Sequence, residues 1–281
     1  HIYFQMETFK RLLLPISSEF FSDNVAKRAS KIANIFGSEI YVVYIMEEKA
    51  FRKMEEVAEP FLTEKQRKEM EGSVIGRSKE IAKIIFERIS KYIPEFENEV
   101  VVGEFSDIIF EKIEKHDPTC IVVGFEKECL LKYRFLENVR IPVWIEIGEG
   151  ENILGVCSNL APNVRVPNFT IEFAKIFGKK AYLLYVIDKK EMVEVDEQGF
   201  KKPSNMEKLK QRAEEFVEKY RSFADVTVKI GDIEEEVMKY TKEIDADVAI
   251  VGREMKKRSI FCKEYKKEMA EKIKHSLLFL N

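Results

Sequence analysis

An internal repeat of domain size restricts the fold of this chain more than any single motif does. Gly103 and Gly124 each end an apolar run, and they lie 21 residues apart. Gly231 and Gly252 end two further apolar runs at the same interval in the second half of the chain. Matched segments offset by 128 residues indicate a duplicated domain, and a duplication sets the architecture before any single residue is interpreted.

A second matched segment gives the length of each copy. Ile-Phe-Gly at residues 35–37 recurs at 176–178, an offset of 141 residues against 128 for the later glycines. The second copy is therefore about 13 residues shorter in its middle. We expect one domain over residues 6–148 and a second over 149–281, each near the commonest domain size of about 100–150 residues.

The composition excludes several classes of protein. Hydrophobic residues make up 45% of the 281 residues and the net charge is −3, so the chain lacks the basic surface typical of nucleic-acid-binding proteins. No apolar run approaches the roughly 20 residues of a membrane span. The charged residues, 35% of the chain and mostly Lys and Glu, suit a thermophile. Residues 1–5 resemble a tag remnant and no secretory leader is recognised, so we expect a cytoplasmic protein without membrane or nucleic-acid partners.

The four cysteines show no CxxC spacing, which fits a reducing compartment. Cys120 and Cys157 stand in apolar runs and are expected to be small buried side chains. Cys129 and Cys262 stand in polar stretches at nearly equivalent places of the two repeats, with Lys127 close to the first. They are interpreted either as ordinary, partly exposed cysteines or as redox or interchain thiols, a role that requires a depressed thiol pKa.

Both halves alternate β-rich runs with helical spacing, which predicts parallel sheets covered by helices on both faces. Continuous apolar runs such as that at 40–46 are typical of strands buried on both faces. Ser22 or Asp23 is predicted to cap the first helix, and Gly37 to end it. Strands are predicted at 12–16, 40–46, 99–103, 120–124 and 143–147, and again at 153–157, 181–187, 226–230, 248–252 and 277–280.

Helices are predicted between these strands, with one irregular connection. A loop containing Gly199 and Pro203 is predicted ahead of the helix at 206–223. The other helices are predicted at 25–36, 49–91, 106–115, 168–177, 233–244 and 256–273, with a polar helical stretch from 125 to 139. The buried stripe of the long charged helix is expected to consist of Ile81, Ile84, Ile85 and Ile89.

A set of short segments occurs in the same order in both halves. They are Leu-Leu-Leu-Pro-Ile-Ser-Ser at 12–18, Val-Tyr-Ile at 43–45, Leu-Tyr-Val at 184–186, Gly103, Gly231, Asp117 with Ile-Val-Val-Gly at 121–124, and Asp-Ala-Asp-Val-Ala-Ile-Val-Gly at 245–252. In this order and in duplicate, they resemble the universal stress protein family. The chain is thus similar to a tandem member of that family over residues 6–281.

The resemblance implies an α/β fold of two doubly wound domains. Each would have a five-stranded parallel sheet in the order 3-2-1-4-5, Rossmann-like and adenine nucleotide alpha hydrolase-like in class. Family members commonly pair their last strands across a domain dimer, which here would form an internal pseudo-dimer, and the short join at 148–151 favours such pairing. The alternative is that both last strands are edge strands covered by helices, and a homodimer of whole chains stays open.

The resemblance also places a ligand crevice where the strand order reverses. It lies between Ser17 and Gly124 in the first half, and between Ser158 and Gly252 in the second. Each glycine is interpreted as the remnant of a phosphate loop or as a residue that the strand-to-helix turn requires. Each serine is interpreted as a ribose ligand or as a residue that completes its turn.

The phosphate loop of the family is absent from both halves. Members that bind ATP carry Gly-x-x-Gly-x9-Gly-Ser/Thr after the fourth strand, because glycines let backbone amides approach phosphate at a helix N-terminus. Only the first glycine is matched here. The second position holds Lys127 and Met255, and the third holds Glu137 and Tyr265. The aspartate that the family carries after the first strand is also replaced by serine, so the resemblance predicts the fold better than it predicts a nucleotide.

Other residues still favour an anionic or nucleotide ligand in the second half. Arg253, Lys256 and Lys257 stand where the family places its phosphate loop, and lysine binds phosphate as a point charge. The alternative is a solvated helix face, because glutamates are interleaved with these cations. Ile45 and Val186 occupy the positions where family members contact adenine.

Two functions of different classes follow. The first is a non-enzymatic stress-response or regulatory protein that needs no cofactor and acts through protein contacts. The second is a protein that binds ATP or AMP at a modified site, mainly in the second domain, with slow ATPase activity as an option. No catalytic constellation is recognised, and neither His116 nor His275 belongs to a pair with metal-ligand spacing.

Overall fold

The computed structural model describes residues 7–17, 21–47, 49, 56–57, 59–124, 136, 138–252, 270 and 272–280. Contacts divide the chain into two units. The N-terminal unit is Phe9–Glu128, and the C-terminal unit is His1–Thr8 together with Cys129–Asn281. The predicted domain boundary between residues 148 and 149 rests on the sequence repeats alone, and it stays a prediction.

The N-terminal unit is an α/β structure with parallel strands. Its described elements are β1 (Arg11–Ile16), α1 (Asp23–Phe36), β2 (Glu39–Met46), a 3-10 turn (Glu59–Phe61), α2 (Glu64–Ser90), β3 (Glu97–Val102), α3 (Phe105–His116) and β4 (Cys120–Gly124). The strands lie in the order β3-β2-β1-β4, and each neighbouring pair is parallel. This is the order predicted for the first four strands of the repeat.

The C-terminal unit repeats this arrangement and extends it. Its described elements are β5 (Val143–Glu146), β6 (Asn152–Ser158), α4 (Arg165–Ile176), β7 (Lys180–Asp188), β8 (Val193–Val195), β9 (Lys201–Pro203), α5 (Met206–Tyr220), β10 (Asp225–Gly231), α6 (Ile233–Glu243), β11 (Ala246–Gly252) and β12 (Leu277–Leu280). The order β10-β7-β6-β11-β12 is parallel throughout and confirms the predicted 3-2-1-4-5 sheet.

The predicted pairing of the two last strands is confirmed within the C-terminal unit. Strand β5 pairs antiparallel with β12, with Trp144 opposite Leu278. A buried polar cluster joins the same two segments, because Trp144 Nε1 donates to Glu146 Oε2 at 2.8 Å and the Ser276 hydroxyl donates to Glu146 Oε1 at 3.0 Å. The Ile147 N–H in turn donates to Ser276 Oγ at 2.9 Å. The buried carboxylate therefore has the hydrogen bonds that make its burial tolerable.

Local sequence accounts for the ends of the helices that flank the strands. Ser22 is the N-cap of α1, since its hydroxyl accepts from the Asn24 N–H at 3.2 Å. Gly37 ends α1 in the left-handed conformation with φ +64°, which confirms its predicted role. In α2, Ala82 joins Ile85 and Ile89 on the buried side.

The predicted burial of Ile84 is wrong. Its side chain is 56% exposed, because the buried positions of α2 recur at three- and four-residue steps that omit it. Ile81 is only half-buried.

The connection after β7 also differs from the sequence prediction. Instead of a loop, residues 193–203 form an antiparallel hairpin in which Val193 pairs with Pro203. Asp196 holds its turn, because Oδ1 accepts from the N–H groups of Gln198 at 3.0 Å and Phe200 at 2.8 Å. Gly199 supplies the left-handed conformation with φ +84°.

Candidate functional site

The switch point of the C-terminal unit brings three predicted residues to one edge of the sheet. Ser158 ends β6 and lies opposite Val186 of β7. On the other side of β6, β11 pairs up to Val251 and ends at Gly252. The N-terminal unit places Ser17, Ile45 and Gly124 at the equivalent ends of β1, β2 and β4.

The described members of the predicted crevice are largely buried. Ser17 is 2% exposed, Ile45 1%, and Ser158 and Val186 0%, and Gly252 is partly exposed. The predicted cations Lys127, Arg253, Lys256 and Lys257 lie outside the described residues, as do Cys129 and Cys262. The predicted burial of the other two cysteines, Cys120 and Cys157, is confirmed, and burial raises the pKa of the Cys157 thiol.

The turn after β6 binds its own backbone. Asn163, with φ +53°, accepts the Ser158 N–H at 3.0 Å through Oδ1. Its Nδ2 donates to the carbonyls of Ser158 at 2.8 Å and Ala161 at 2.9 Å. The Ser158 hydroxyl accepts the Leu160 N–H at 3.1 Å. Ser158 therefore contributes to the turn itself, which is one of its two predicted roles.

Asn159 connects this turn to the segment after β7. Its Oδ1 accepts the Asp188 N–H at 2.7 Å, and its Nδ2 donates to the Val193 carbonyl at 2.8 Å. The Val195 N–H donates to the Asn159 carbonyl oxygen at 3.1 Å. One side chain thus holds the end of β7 and the hairpin against the end of β6.

A buried carboxylate stands at the end of β7, two residues after Val186. Asp188 is fully buried, and its Oδ1 accepts the Lys190 N–H at 2.8 Å. Its Oδ2 has no hydrogen-bond partner among the described residues. Sequence analysis missed this residue, although an acidic residue directly after an apolar parallel strand is a signal for a site at the carboxyl edge.

Charged groups surround the end of the neighbouring strand β10. Asp232 follows β10, caps α6 and forms an ion pair with Lys190. Hydrogen bonding with Glu234, together with the contacts to Lys190, holds the pKa of Asp232 far below its usual range. Contact with Asp232 in turn raises the pKa of Lys190. This end of the sheet carries fixed charge of both signs.

Two cavities lie outside the predicted crevice. One, of about 490 Å³, lies in the N-terminal unit at the amino ends of its strands, where the rings of Tyr41 and His116 stack at 4.1 Å. The other, of about 330 Å³, lies in the C-terminal unit between the turn after β6, the β8–β9 hairpin and α5. None of the predicted crevice residues lines either cavity.

Neither a metal-ligand cluster nor a membrane-spanning helix is found among the described residues. In those residues, no group of three or more His, Cys, Asp or Glu side chains is arranged to hold a metal ion. No helix in the described part combines the length and the apolar character that crossing a membrane requires.

Comparison with solved structures finds the same architecture. A universal stress protein from Archaeoglobus fulgidus DSM 4304 aligns with a TM-score of 0.64 at 13% identity, covering 97% of this chain and 97% of that one. A functionally unknown protein from Pseudomonas aeruginosa PAO1 aligns with a TM-score of 0.62 at 12% identity, covering 98% and 93%. The sequence matches no protein-family model and no curated protein. At these identities the likeness shows a universal stress protein-like fold, and fold alone does not assign a function.

Proposed function

We propose that this chain is a non-enzymatic regulatory protein, built on a universal stress protein-like fold, that acts in the stress response through contacts with protein partners. In this proposal neither half binds ATP tightly. The observation that carries the proposal is the closed turn after β6. Asn163 Oδ1 accepts the Ser158 N–H, and the Ser158 hydroxyl accepts the Leu160 N–H. Two backbone donors beside the crevice are therefore already occupied. A nucleotide site needs such donors free for its ligand.

The sequence after the fourth strand supports the same proposal. Phosphate loops depend on glycine because a side chain would hold the backbone amides away from the phosphate oxygens. Lys127 and Met255 stand at the second glycine position, and Glu137 and Tyr265 at the third. Both copies have lost these positions, so the proposal does not depend on one half alone.

Isothermal titration with MgATP tests the proposal. We expect a Kd weaker than about 1 mM, equivalent to roughly −4 kcal/mol, for the purified chain. Mass spectrometry of the same preparation should show no stoichiometric nucleotide, which makes certain that the crevice is not already filled. Micromolar binding of ATP or AMP would overturn the proposal.

A second candidate function is nucleotide binding in the C-terminal unit, and Asp188 is the observation that favours it. Its buried Oδ2, at the carboxyl end of β7, has no partner in the described part of the chain, and buried carboxylate oxygens are normally hydrogen-bonded. A ribose hydroxyl or an adenine amino group is a donor that would satisfy it. The lysines at 256 and 257 would supply the positive charge for the phosphates.

Five variants separate this candidate from the first. If nucleotide binds, Lys256→Ala and Lys257→Ala should weaken it more than Lys127→Ala does, because the site lies in the second repeat. Asp188→Asn should weaken it at least fivefold, whereas Asp225→Asn, at the opposite end of the sheet, should leave it unchanged. Equal effects across these pairs would remove the case for a site in the C-terminal unit.

A further inference from the structure

The cavity of about 330 Å³ in the C-terminal unit has a volume within the range of small-molecule sites. It is bounded by the turn after β6, the β8–β9 hairpin and helix α5. All three walls are held in place by described contacts, since Asn159 ties the hairpin to the turn and the hairpin residue Glu194 pairs with Arg212 of α5 at 2.6 Å. The cavity is therefore part of the folded unit, and none of the predicted crevice residues lines it.

Three aromatic rings line the cavity side by side. The ring centroids of Tyr185 and Phe216 are 5.0 Å apart, and those of Phe216 and Tyr220 are 4.8 Å apart. All three side chains are buried, and all three border the cavity. A row of aromatic faces attracts both flat apolar groups and cations.

The hydroxyl of Tyr185 is left without a hydrogen bond to any described residue. The side chain is only 4% exposed, and it lines the cavity. The ring is buried, whereas the hydroxyl is open to the cavity and is not sealed in the protein interior. Burial also raises the pKa of Tyr185, so the hydroxyl stays protonated at neutral pH and offers both a donor and an acceptor. A polar group of a ligand would supply the missing partner.

The charged groups around the cavity carry an excess of negative charge. Four carboxylates and two cations line it. Arg212 is already held by Glu194 at 2.6 Å and by Glu215 at 2.9 Å, so its charge is neutralised within the wall. Glu197 forms no ion pair among the described residues. Asp196 is paired with Lys202 at 3.8 Å, and Lys219, the second cation of the lining, lies 5.3 Å from the centroid of the Tyr220 ring. Because four carboxylates face two cations in the lining, the field inside the cavity still favours a positive ligand.

We propose that this cavity binds a small organic cation, an amine with a flat or aliphatic body. The body packs on the rings of Tyr185 and Phe216, beside Tyr220, whose ring already contacts Lys219. The ammonium group donates to the Tyr185 hydroxyl oxygen and faces the carboxylate of Glu197. This site shares no residue with the predicted nucleotide crevice, so the proposal stands whether or not ATP binds.

Titration with three matched probes tests the ligand class. Benzylamine, benzyl alcohol and benzoate share a ring and differ in charge, and binding is followed by NMR chemical-shift changes at neutral pH. We expect benzylamine to bind saturably, benzyl alcohol at least fivefold more weakly, and benzoate not at all. No saturable benzylamine shift, or benzoate binding as tightly as benzylamine, would overturn the proposal.

Two pairs of variants test the location. Tyr185→Phe removes the unpartnered hydroxyl and keeps the ring, so benzylamine affinity should fall at least threefold. The control is Tyr182→Phe, which lies in the same strand but outside the cavity, and it should leave the benzylamine affinity unchanged. Glu197→Gln should lower the affinity at least threefold, whereas Glu218→Gln, on α5 outside the cavity, should not. Circular dichroism confirms that each variant is folded, and losses of equal size within either pair would refute the assigned site.

Discussion

At the residue scale, two asparagines decide the shape of the carboxyl edge of the C-terminal sheet. Asn163 closes the turn after β6 on itself, and Asn159 binds that turn to the end of β7 and to the hairpin. Asparagine suits both places because its amide donates and accepts at once, and at position 163 it also tolerates the left-handed conformation better than most residues. These contacts leave Asp188 Oδ2 as a buried acceptor without a partner among the described residues.

Replacement of Asn163 should measure the strength of the closed turn. Asn163→Ala removes three hydrogen bonds and puts alanine, which tolerates φ +53° less well than asparagine, in the turn, so the free energy of unfolding should fall by about 2–3 kcal/mol. Asn163→Gly should lose about 1 kcal/mol less, since glycine adopts this conformation without strain. Urea denaturation measures both values.

The matched control for this prediction is Asn168→Ala. Asn168 lies nearby in α4, and its exposed side chain donates to the Val164 carbonyl at 3.1 Å. Loss of this exposed bond should change stability by less than about 0.5 kcal/mol. If Asn163→Ala and Asn168→Ala cost the same, the turn is not closed in the way described.

At the element scale, the antiparallel pair of β5 and β12 is the contact that joins the ends of the two sequence repeats. Both strands are fully buried, and they pair through Leu277, Leu278 and Phe279 on β12. Burial on both faces follows from their continuous apolar sequence. The exception is Glu146, whose carboxylate is held by Trp144 and Ser276.

Loss of the Ser276 hydroxyl should weaken this pair. Ser276→Ala leaves the Ile147 N–H and one oxygen of the buried Glu146 with one hydrogen bond fewer each, so stability should fall by about 1–3 kcal/mol. Ser90→Ala, which removes an exposed bond at the end of α2, should cost under about 0.5 kcal/mol. Thermal unfolding compares the two variants, and equal shifts in Tm would contradict the role of the buried cluster.

The elements themselves were largely predictable, and the two exceptions have different causes. Apolar runs and helix caps placed the strands of both units and the ends of α1, because these signals depend on neighbours in sequence. The hairpin at 193–203 was missed although Val193, Val195 and the turn at Gly199 carry its signal. Its three-residue strands gain stability from Asn159, 34 positions before Val193, and from Arg212 of α5. Ile84 was misplaced because four isoleucines fit two neighbouring stripes of one helix.

At the scale of the whole molecule, stability should depend on pH through His275, which precedes β12. Burial lowers the pKa of His275 below its ordinary value of 6.5, and Asp245 opposes this shift. The unfolded chain therefore binds a proton more readily than the folded chain does. The contribution of His275 is complete above about pH 6.5 and is lost as the pH falls below that value.

Urea denaturation between pH 5 and pH 7.5 checks this dependence. The free energy of unfolding should decrease toward pH 5, and His275→Gln should make that decrease shallower. His116→Gln should retain the slope that His275 produces, because it leaves the environment of His275 intact. An unchanged slope in His275→Gln would show that other groups account for the acid sensitivity.

The sequence by itself predicted the alternating strands and helices of both halves, and its family resemblance added the 3-2-1-4-5 order and the pairing of the last strands of the two repeats. Periodicity, turn glycines and apolar runs are local properties, and they recur in both halves, so one reading supports the other. Only the tertiary structure decided which polar side chains form hydrogen bonds within the protein. Asp188, Tyr185 and Glu146 all stand in or beside apolar strands, and the sequence does not distinguish them. Their hydrogen bonds depend on residues such as Asn159 and Ser276, which are brought near by folding from as far as 130 positions away.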